Sequence, residues 1–319
     1  MFGAGSWKLK FIRGYINDLL RFVLRVARHI TTLEMEGSLH WMSGTNVPGM
    51  FPTLHTLKLV GIVNTSLPRA CCYFIRLTTL RTLQLVRMEV TSGTFSHLGI
   101  AELFIISLQF VDCLATTNDL SKADRACREL ETFTYRLSAR LWTFTMQQYD
   151  IAELIYHLRK HHKSTLKHLT ILTMGVQVRD RCHYADDLSQ FKVLLSLIIN
   201  HDHLHPRHFG ITPKQCQMRR LQQQYLLTSL DQNPKSVVEL LLLLAPSLQR
   251  LELHVCEKTQ MTRDLLNVMY HMVTNGLLPD LRNIKVIFEH ARSFLTRDEK
   301  DQLAALTAQL CGLGREQAL

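Results

Sequence analysis

Any chemistry this chain performs has to come from the places where reactive side chains crowd together. The densest is His201-Asp-His-Leu-His-Pro-Arg-His208, with four histidines and an aspartate in eight residues. Imidazole and carboxylate are zinc ligands, but the run fits no regular zinc-finger spacing and no cysteine pair accompanies it. A histidine-rich surface loop is the expectation. The run His157-Leu-Arg-Lys-His-His-Lys163 could meet phosphate. It falls where a helix would end, and cations favour helix C-termini, so it reads as a solvated helix end. Eight cysteines stand at positions 71, 72, 113, 127, 182, 216, 256 and 311, without a C-x-x-C pair or regular spacing. The adjacent Cys71 and Cys72 point apart on most backbones. Reduced thiols in an intracellular protein, several of them acting as small apolar residues, are expected. No Walker-type phosphate loop, G-x-G-x-x-G, G-x-S-x-G elbow or H-E-x-x-H occurs. The expectation is therefore a protein that is not an enzyme and uses no cofactor or metal.

Composition bounds what is left. The 319 residues are 46% hydrophobic and 20% charged, which suits an ordered chain. The net charge of +10 and pI of about 9.3 permit acidic partners. The charge is spread along the chain without a basic-plus-aromatic module, so nucleic acid is not the expected partner. No stretch reaches the roughly 18 apolar residues of a membrane span. Lys8, Lys10 and Arg13 are followed by no apolar signal region. Cytoplasm or nucleus is the expected location.

The elements that would position side chains are legible in a repeated pattern, apolar-x-x-apolar-x-apolar, best formed at Leu54-His-Thr-Leu-Lys-Leu59. Copies occur at Ile30/Leu33/Met35, Leu80/Leu83/Leu85, Ile100/Leu103/Ile105, Leu130/Phe133/Tyr135, Leu166/Leu169/Ile171, Leu194/Leu197/Ile199, Leu248/Leu251/Leu253 and Leu281/Ile284/Val286. Their first positions are 24, 26, 20, 30, 36, 28, 54 and 33 residues apart. Such a pattern is the strand signature of a leucine-rich repeat, whose period is about 20–29 residues. The predicted fold is an α/β leucine-rich-repeat solenoid, an irregular horseshoe with a parallel concave sheet and with helices and loops on the convex side.

Three segments are expected. Residues 1–29 are a lead-in followed by a helix with Ile16, Leu19, Leu20, Val23, Leu24 and Ala27 on one face and Arg21, Arg25 and Arg28 on the other. That helix caps the first repeat; the competing reading is a mitochondrial presequence. Residues 30–290 are the repeat domain, with convex helices over Asn118–Arg128, Asp150–Leu158 and about 265–273, a strand over Phe191–Ile199 and an insertion over about 200–236. Residues 291–319 are a C-terminal cap opened by the capping-box sequence Thr296-Arg-Asp-Glu299.

Alternation along each strand sends the residues between the apolar ones to the concave face. Thr56, Lys58, Thr82, Gln84, Phe104, Thr132, Thr134, Arg136, His168, Thr170, Arg250 and Glu252 are therefore the candidate protein contacts. The wider set adds Thr32, Glu34, Glu102, Ser196, His254, Asn283 and Lys285. Phe104 and Ile106 are read either as an exposed contact surface or as residues covered by a neighbouring loop.

Cys127-Arg-Glu-Leu-Glu-Thr-Phe-Thr-Tyr-Arg136 is followed by Ile151-Ala-Glu-Leu-Ile-Tyr-His-Leu-Arg-Lys160 and Ser164-Thr-Leu-Lys-His-Leu-Thr-Ile171. With Leu244-Ala-Pro-Ser-Leu-Gln-Arg-Leu-Glu-Leu253, these stretches resemble the leucine-rich-repeat region of filamentous-fungal F-box-like proteins. The resemblance covers most of residues 30–290. It implies substrate recognition within an SCF-type ubiquitin ligase, where an F-box docks on the Skp1 adaptor of a cullin complex and the repeats select the protein to be modified. Residues 1–29 are too short for an F-box and have no Leu-Pro start. The link to Skp1 and cullin is thus expected only if an F-box lies upstream; otherwise the chain is a stand-alone interaction protein with an unidentified partner.

Overall fold

The computed structural model describes residues 5–10, 29–36, 51–61, 74–90, 95, 98–138, 150–173, 188–200, 204, 244–255, 278–288, 297, 301 and 304–305. The chain is mixed α/β and falls into two compact units. One comprises Met1–Tyr149 and His157–Val176, the other Asp150–Tyr156 and Gln177–Leu319.

The first unit holds strands β1 (Gly5–Lys10), β2 (Ile30–Glu36), β3 (Thr56–Val60), β4 (Thr82–Val86), β5 (Glu89–Val90), β6 (Ser107–Val111), β7 (Leu114–Ala115), β8 (Thr132–Leu137) and β9 (His168–Thr173). Helix α1 (Thr117–Ala126) precedes β8, and α2 (Ile151–His162), of which the part from His157 onward belongs to this unit, precedes β9. The sheet order is β1-β2-β3-β4-β6-β8-β9, and every neighbouring pair is parallel. The second unit holds β10 (Ser196–Asn200), β11 (Arg250–Val255) and β12 (Asn283–Phe288), again parallel and in that order. Parallel neighbours cannot be joined by a hairpin, so within each unit the chain returns by a crossover from one sheet strand to its neighbour.

Register turns the pattern into ladders. Leu33, Leu57, Leu83, Leu108, Phe133 and Leu169 align across the first sheet, as do Met35, Leu59, Leu85, Phe110, Tyr135 and Ile171. All are buried. Each such side chain contributes about 1.5–3 kcal/mol by leaving water. In the second unit Leu197, Leu251 and Ile284 align in the same way.

Several strands are entered through the same hydrogen bonds. The carbonyl just before a strand accepts two successive N–H groups from the next strand's start. His55 accepts from Arg81 and Thr82 at 2.8 and 2.9 Å, Arg81 from Ile106 and Ser107 at 2.8 and 3.0 Å, and Glu131 from Lys167 and His168 at 2.8 and 2.9 Å. In the second unit Leu195 accepts from Gln249 and Arg250, and Gln249 from Arg282 and Asn283, at 2.9–3.0 Å. A tight turn precedes several strands. Leu54 N–H donates to Phe51 O, Leu248 to Ala245 and Leu281 to Leu278. Pro52, Pro246 and Pro279 occupy the second turn position, where φ near −65° suits and no donor is needed. The hydroxyls of Thr53 and Ser247 then donate to Ile30 O and Leu194 O, at 3.1 and 3.0 Å, binding each turn to the chain around the preceding strand.

The strands also leave through a shared corner. Gly61, Arg87 and Asp112 N–H donate to Val86, Val111 and Arg136 O. Arg87 and Asp112 have φ of 54° and 53°, a region L-residues avoid, so this corner is imposed by its neighbours. Beyond it β5 and β7 pair as a separate two-stranded ladder.

Several expectations are corrected. The fourth strand is Ser107–Val111 and its triad is Ile105/Leu108/Phe110, five residues after Ile100/Leu103/Ile105. The chain ahead of it makes only the isolated bridge Leu103–Cys127. Because Ile100/Leu103/Ile105 fits the same pattern, alternation alone cannot choose between the two. The corrected spacings become 24, 26, 25 and 25. Residues 5–10, expected as lead-in, form β1. The strand expected over Phe191–Ile199 begins only at Ser196, after a 3₁₀ turn at Leu188–Gln190. Helix α2 keeps Ile151, Leu154, Ile155 and Leu158 buried, as its stripe predicts, and runs on to His162. The helix over 16–27, Cys71 and Cys72, the His201–His208 run apart from Leu204, the insertion over 209–236 and the helix over 265–273 lie outside the described residues. So does the C-terminal cap apart from Arg297, Asp301, Ala304 and Ala305.

Candidate functional site

In the first unit the side of the sheet away from the core ladders carries two polar rows. Thr32, Thr56, Thr82, Ser107, Thr132 and His168 align in one, and Glu34, Lys58, Gln84, Gln109, Thr134 and Thr170 in the next. Neighbouring strands lie about 4.8 Å apart, so the first row is a line of hydroxyls at that interval ending on an imidazole. The residues are half-buried and His168 is exposed. Lys58 pairs with Glu34 at 3.4 Å, and Gln109 donates to Ser107 Oγ at 3.2 Å. A third row, Glu36, Val60, Val86, Val111, Arg136 and Leu172, is largely apolar, with Arg136 exposed and Arg87 paired to Glu36 at 3.6 Å. The face can accept and donate hydrogen bonds at regular steps.

Of the residues expected here, Thr56, Lys58, Thr82, Gln84, Thr132, Thr134, Arg136, His168 and Thr170 share this face. Phe104 does not. It stands in the loop before β6, because the fourth strand starts at Ser107, and Ser107 and Gln109 take the places expected for Glu102 and Phe104. Glu102 is in the same loop, 4.0 Å from Arg76.

The second unit departs from its expectation differently. Glu252 and His254 lie on the strand side expected to be open, yet they are 7% and 6% exposed. Glu252 receives Arg250 at 2.7 Å and His254 Nε2 at 3.0 Å, with Lys285 at 3.9 Å. Burial alone would push its carboxyl up. The hydrogen bonds from Arg250 and His254 and the charge of Lys285 outweigh that and hold it below the usual range. Glu252 is thus engaged within its own unit, while Arg250 remains exposed.

One buried pair escaped sequence reasoning. His162, the last residue of α2, lies with Nε2 2.9 Å from Asp124 Oδ1 and 3.1 Å from the Asp124 carbonyl, and only the carbonyl contact has hydrogen-bond alignment. Leu130 N–H donates to Nδ1 at 3.4 Å, which puts the ring proton on Nε2, facing Asp124. Both side chains are sealed from solvent. The pair therefore fastens α1 to the end of α2 and cannot reach a substrate. Cys127 and Cys113 are buried nearby in sequence. Burial pushes the Cys113 thiol up to about 12 and the Cys127 thiol higher still. These are not nucleophiles near neutral pH. Among the described residues no group of three or more His, Cys, Asp or Glu side chains could hold a metal ion, and no helix is long and apolar enough to cross a membrane.

No protein-family model and no curated protein matches the chain.

Proposed function

We propose that the chain is a leucine-rich-repeat scaffold, its strands stacked as an irregular horseshoe, that binds a partner protein across the polar rows of its sheet. The observation that carries this reading is the entry bond repeated at the same point of successive strands in both units. Repeats of this kind bury their core against one another and leave an extended face for binding. The hydroxyl row supports a protein partner, since short hydroxyls at fixed intervals suit many modest hydrogen bonds. By its resemblance to the fungal F-box-like proteins the partner is a protein selected for ubiquitination.

The test is affinity purification of the tagged full chain with and without the substitution pair Gln84→Arg and Thr134→Arg. A defined partner held by the wild type and lost from the folded variant supports the face as the binding surface. Partners retained equally by both would refute it. Co-purification of Skp1 and a cullin carries the ligase role, and a partner without them leaves a stand-alone scaffold.

A further inference from the structure

The large hydrophobic side chains left exposed among the described residues are Ile100, Phe104, Ile106 and Tyr156. Three of the four stand in one loop, residues 98–106, at 68%, 38% and 36% exposure. Scattered exposed apolar residues need no explanation, whereas a cluster marks a contact surface.

The loop is rigidly placed. Ala101 N–H donates to Arg125 O at 3.0 Å, Leu103 N–H to Ala126 O at 2.8 Å, and Arg128 N–H to Leu103 O at 2.9 Å. Those acceptors and donors sit at the end of α1, whose start is fixed by a capping box between Thr116 and Asp119. Ala101 has φ of 58°, a cost of about 1–3 kcal/mol that an alanine bears only where its surroundings enforce it. Unlike Arg87 and Asp112, Ala101 does not stand at the repeated strand exit. Strain held in an exposed apolar loop is preorganisation, which lowers the entropy lost on binding.

A cation lies over this loop. Arg81 Cζ is 5.7 Å from the centre of the Phe104 ring, and its guanidinium donates to Thr78 O at 2.9 Å and Phe104 O at 3.1 Å. Its neighbours' carboxylates are taken: Glu102 faces Arg76, and Glu131 pairs with Lys167 at 2.8 Å. Among the described residues no carboxylate pairs with Arg81. Arg81 and Ile106 immediately precede Thr82 and Ser107, so the loop borders the hydroxyl row. The chain as a whole is basic.

We propose that loop 98–106 and Arg81 form the anchor for the partner, taking an extended protein segment in which an acidic residue adjoins an aromatic or long aliphatic side chain. This rests on the scaffold reading. The apolar side chain covers Phe104 and Ile106, and the carboxylate meets Arg81, whose position over the ring is already set. Aromatic and arginine side chains at such centres carry most of an interface's energy.

Random peptides displayed on phage and panned against the full chain test this. Enriched sequences should place Asp or Glu within two residues of Phe, Trp, Leu or Ile. Their affinity should fall about tenfold or more on Arg81→Glu, and as much on Phe104→Ser with Ile106→Ser. Panning the Arg81→Glu chain should exchange the acidic residue for Lys or Arg. Because Arg81 also holds carbonyls of the loop, the serine pair, which leaves that guanidinium intact, is the second arm, and circular dichroism and melting verify both folds. Peptides without an acidic bias, or bound equally by both variants, overturn the proposal. Peptides indifferent to the loop but lost on Thr134→Arg overturn the anchor and leave the scaffold reading standing. Absence of any enriched peptide counts against both.

Discussion

Replacing His162 with alanine should destabilise the first unit by about 3–4 kcal/mol, while replacing Asp124 with alanine should cost no more than about 1 kcal/mol. The asymmetry follows from where the ring proton points. With His162 gone, the Asp124 carboxylate loses its 2.9 Å neighbour inside a fully buried site, and Leu130 N–H loses its acceptor. Breaking a buried pair in this way costs about 3–5 kcal/mol. With Asp124 shortened instead, Nε2–H still donates to the main-chain carbonyl of residue 124, 3.1 Å away. No donor is stranded, and a buried carboxylate without an aligned hydrogen bond is removed. The double variant should therefore recover much of what His162→Ala loses. Urea unfolding at pH 7 followed by tryptophan fluorescence measures this cleanly, because Trp7, Trp41 and Trp142 all belong to the first unit. Equal losses for the two single variants would refute the assignment of the Nε2 proton. A loss below about 1 kcal/mol for His162→Ala would refute the claim that the pair matters to the fold at all.

Gly61→Ala should lower stability by about 1–3 kcal/mol, since its Cβ would meet Met88 Cγ at 2.8 Å and Arg87 O at 3.0 Å; an unchanged melting temperature would mean that the corner yields. In the second unit Glu252 is held below the ordinary carboxylate value of 4.5, so its stabilisation is complete above that pH and is lost as the pH falls through and below it. Hydrogen exchange along β11 should show that loss, and Glu252→Gln should abolish its pH dependence. Cys113 and Cys127 should resist alkylation by iodoacetamide in the folded chain at pH 8 and react in urea, as read by mass spectrometry; labelling of either in the native state would contradict their burial.

The parallel strands were legible because a strand's two-residue alternation writes its core face directly into the sequence, as at Leu57/Leu59 and Leu83/Leu85. Their phase was not always legible. Ile100/Leu103/Ile105 satisfies the pattern as well as Ile105/Leu108/Phe110 does, and only the even 25-residue interval to Leu80 and Leu130 discriminates. The turn signature Pro-Thr-Leu or Pro-Ser-Leu at residues 52–54 and 246–248 was available too. Its hydroxyl reaches back to the chain around the preceding strand, a role that the turn residues alone do not announce. The strand at residues 5–10 was harder to find, because Gly5–Lys10 offers only Trp7 and Leu9 as apolar register partners for Leu33 and Met35.

What alternation cannot encode is the fate of the other face. Thr56 and Thr82 are half-open, whereas Glu252 and His254, at the same kind of position, are buried and bonded to each other. A charged residue two positions from a core leucine says only that it points away from that leucine. Whether it meets water depends on groups distant in sequence, such as Lys285 for Glu252. The same limit hid the pair Asp124–His162, 38 residues apart. His162 belonged to a basic run that resembled a solvated helix end, and only the docking of α2 on α1 makes its ring a buried fastening. A polar strand face is therefore a candidate surface only where its residues stay accessible. In the described chain that condition selects the hydroxyl row of the first unit and the Arg81–Phe104 loop at its border, and it excludes the Glu252 cluster.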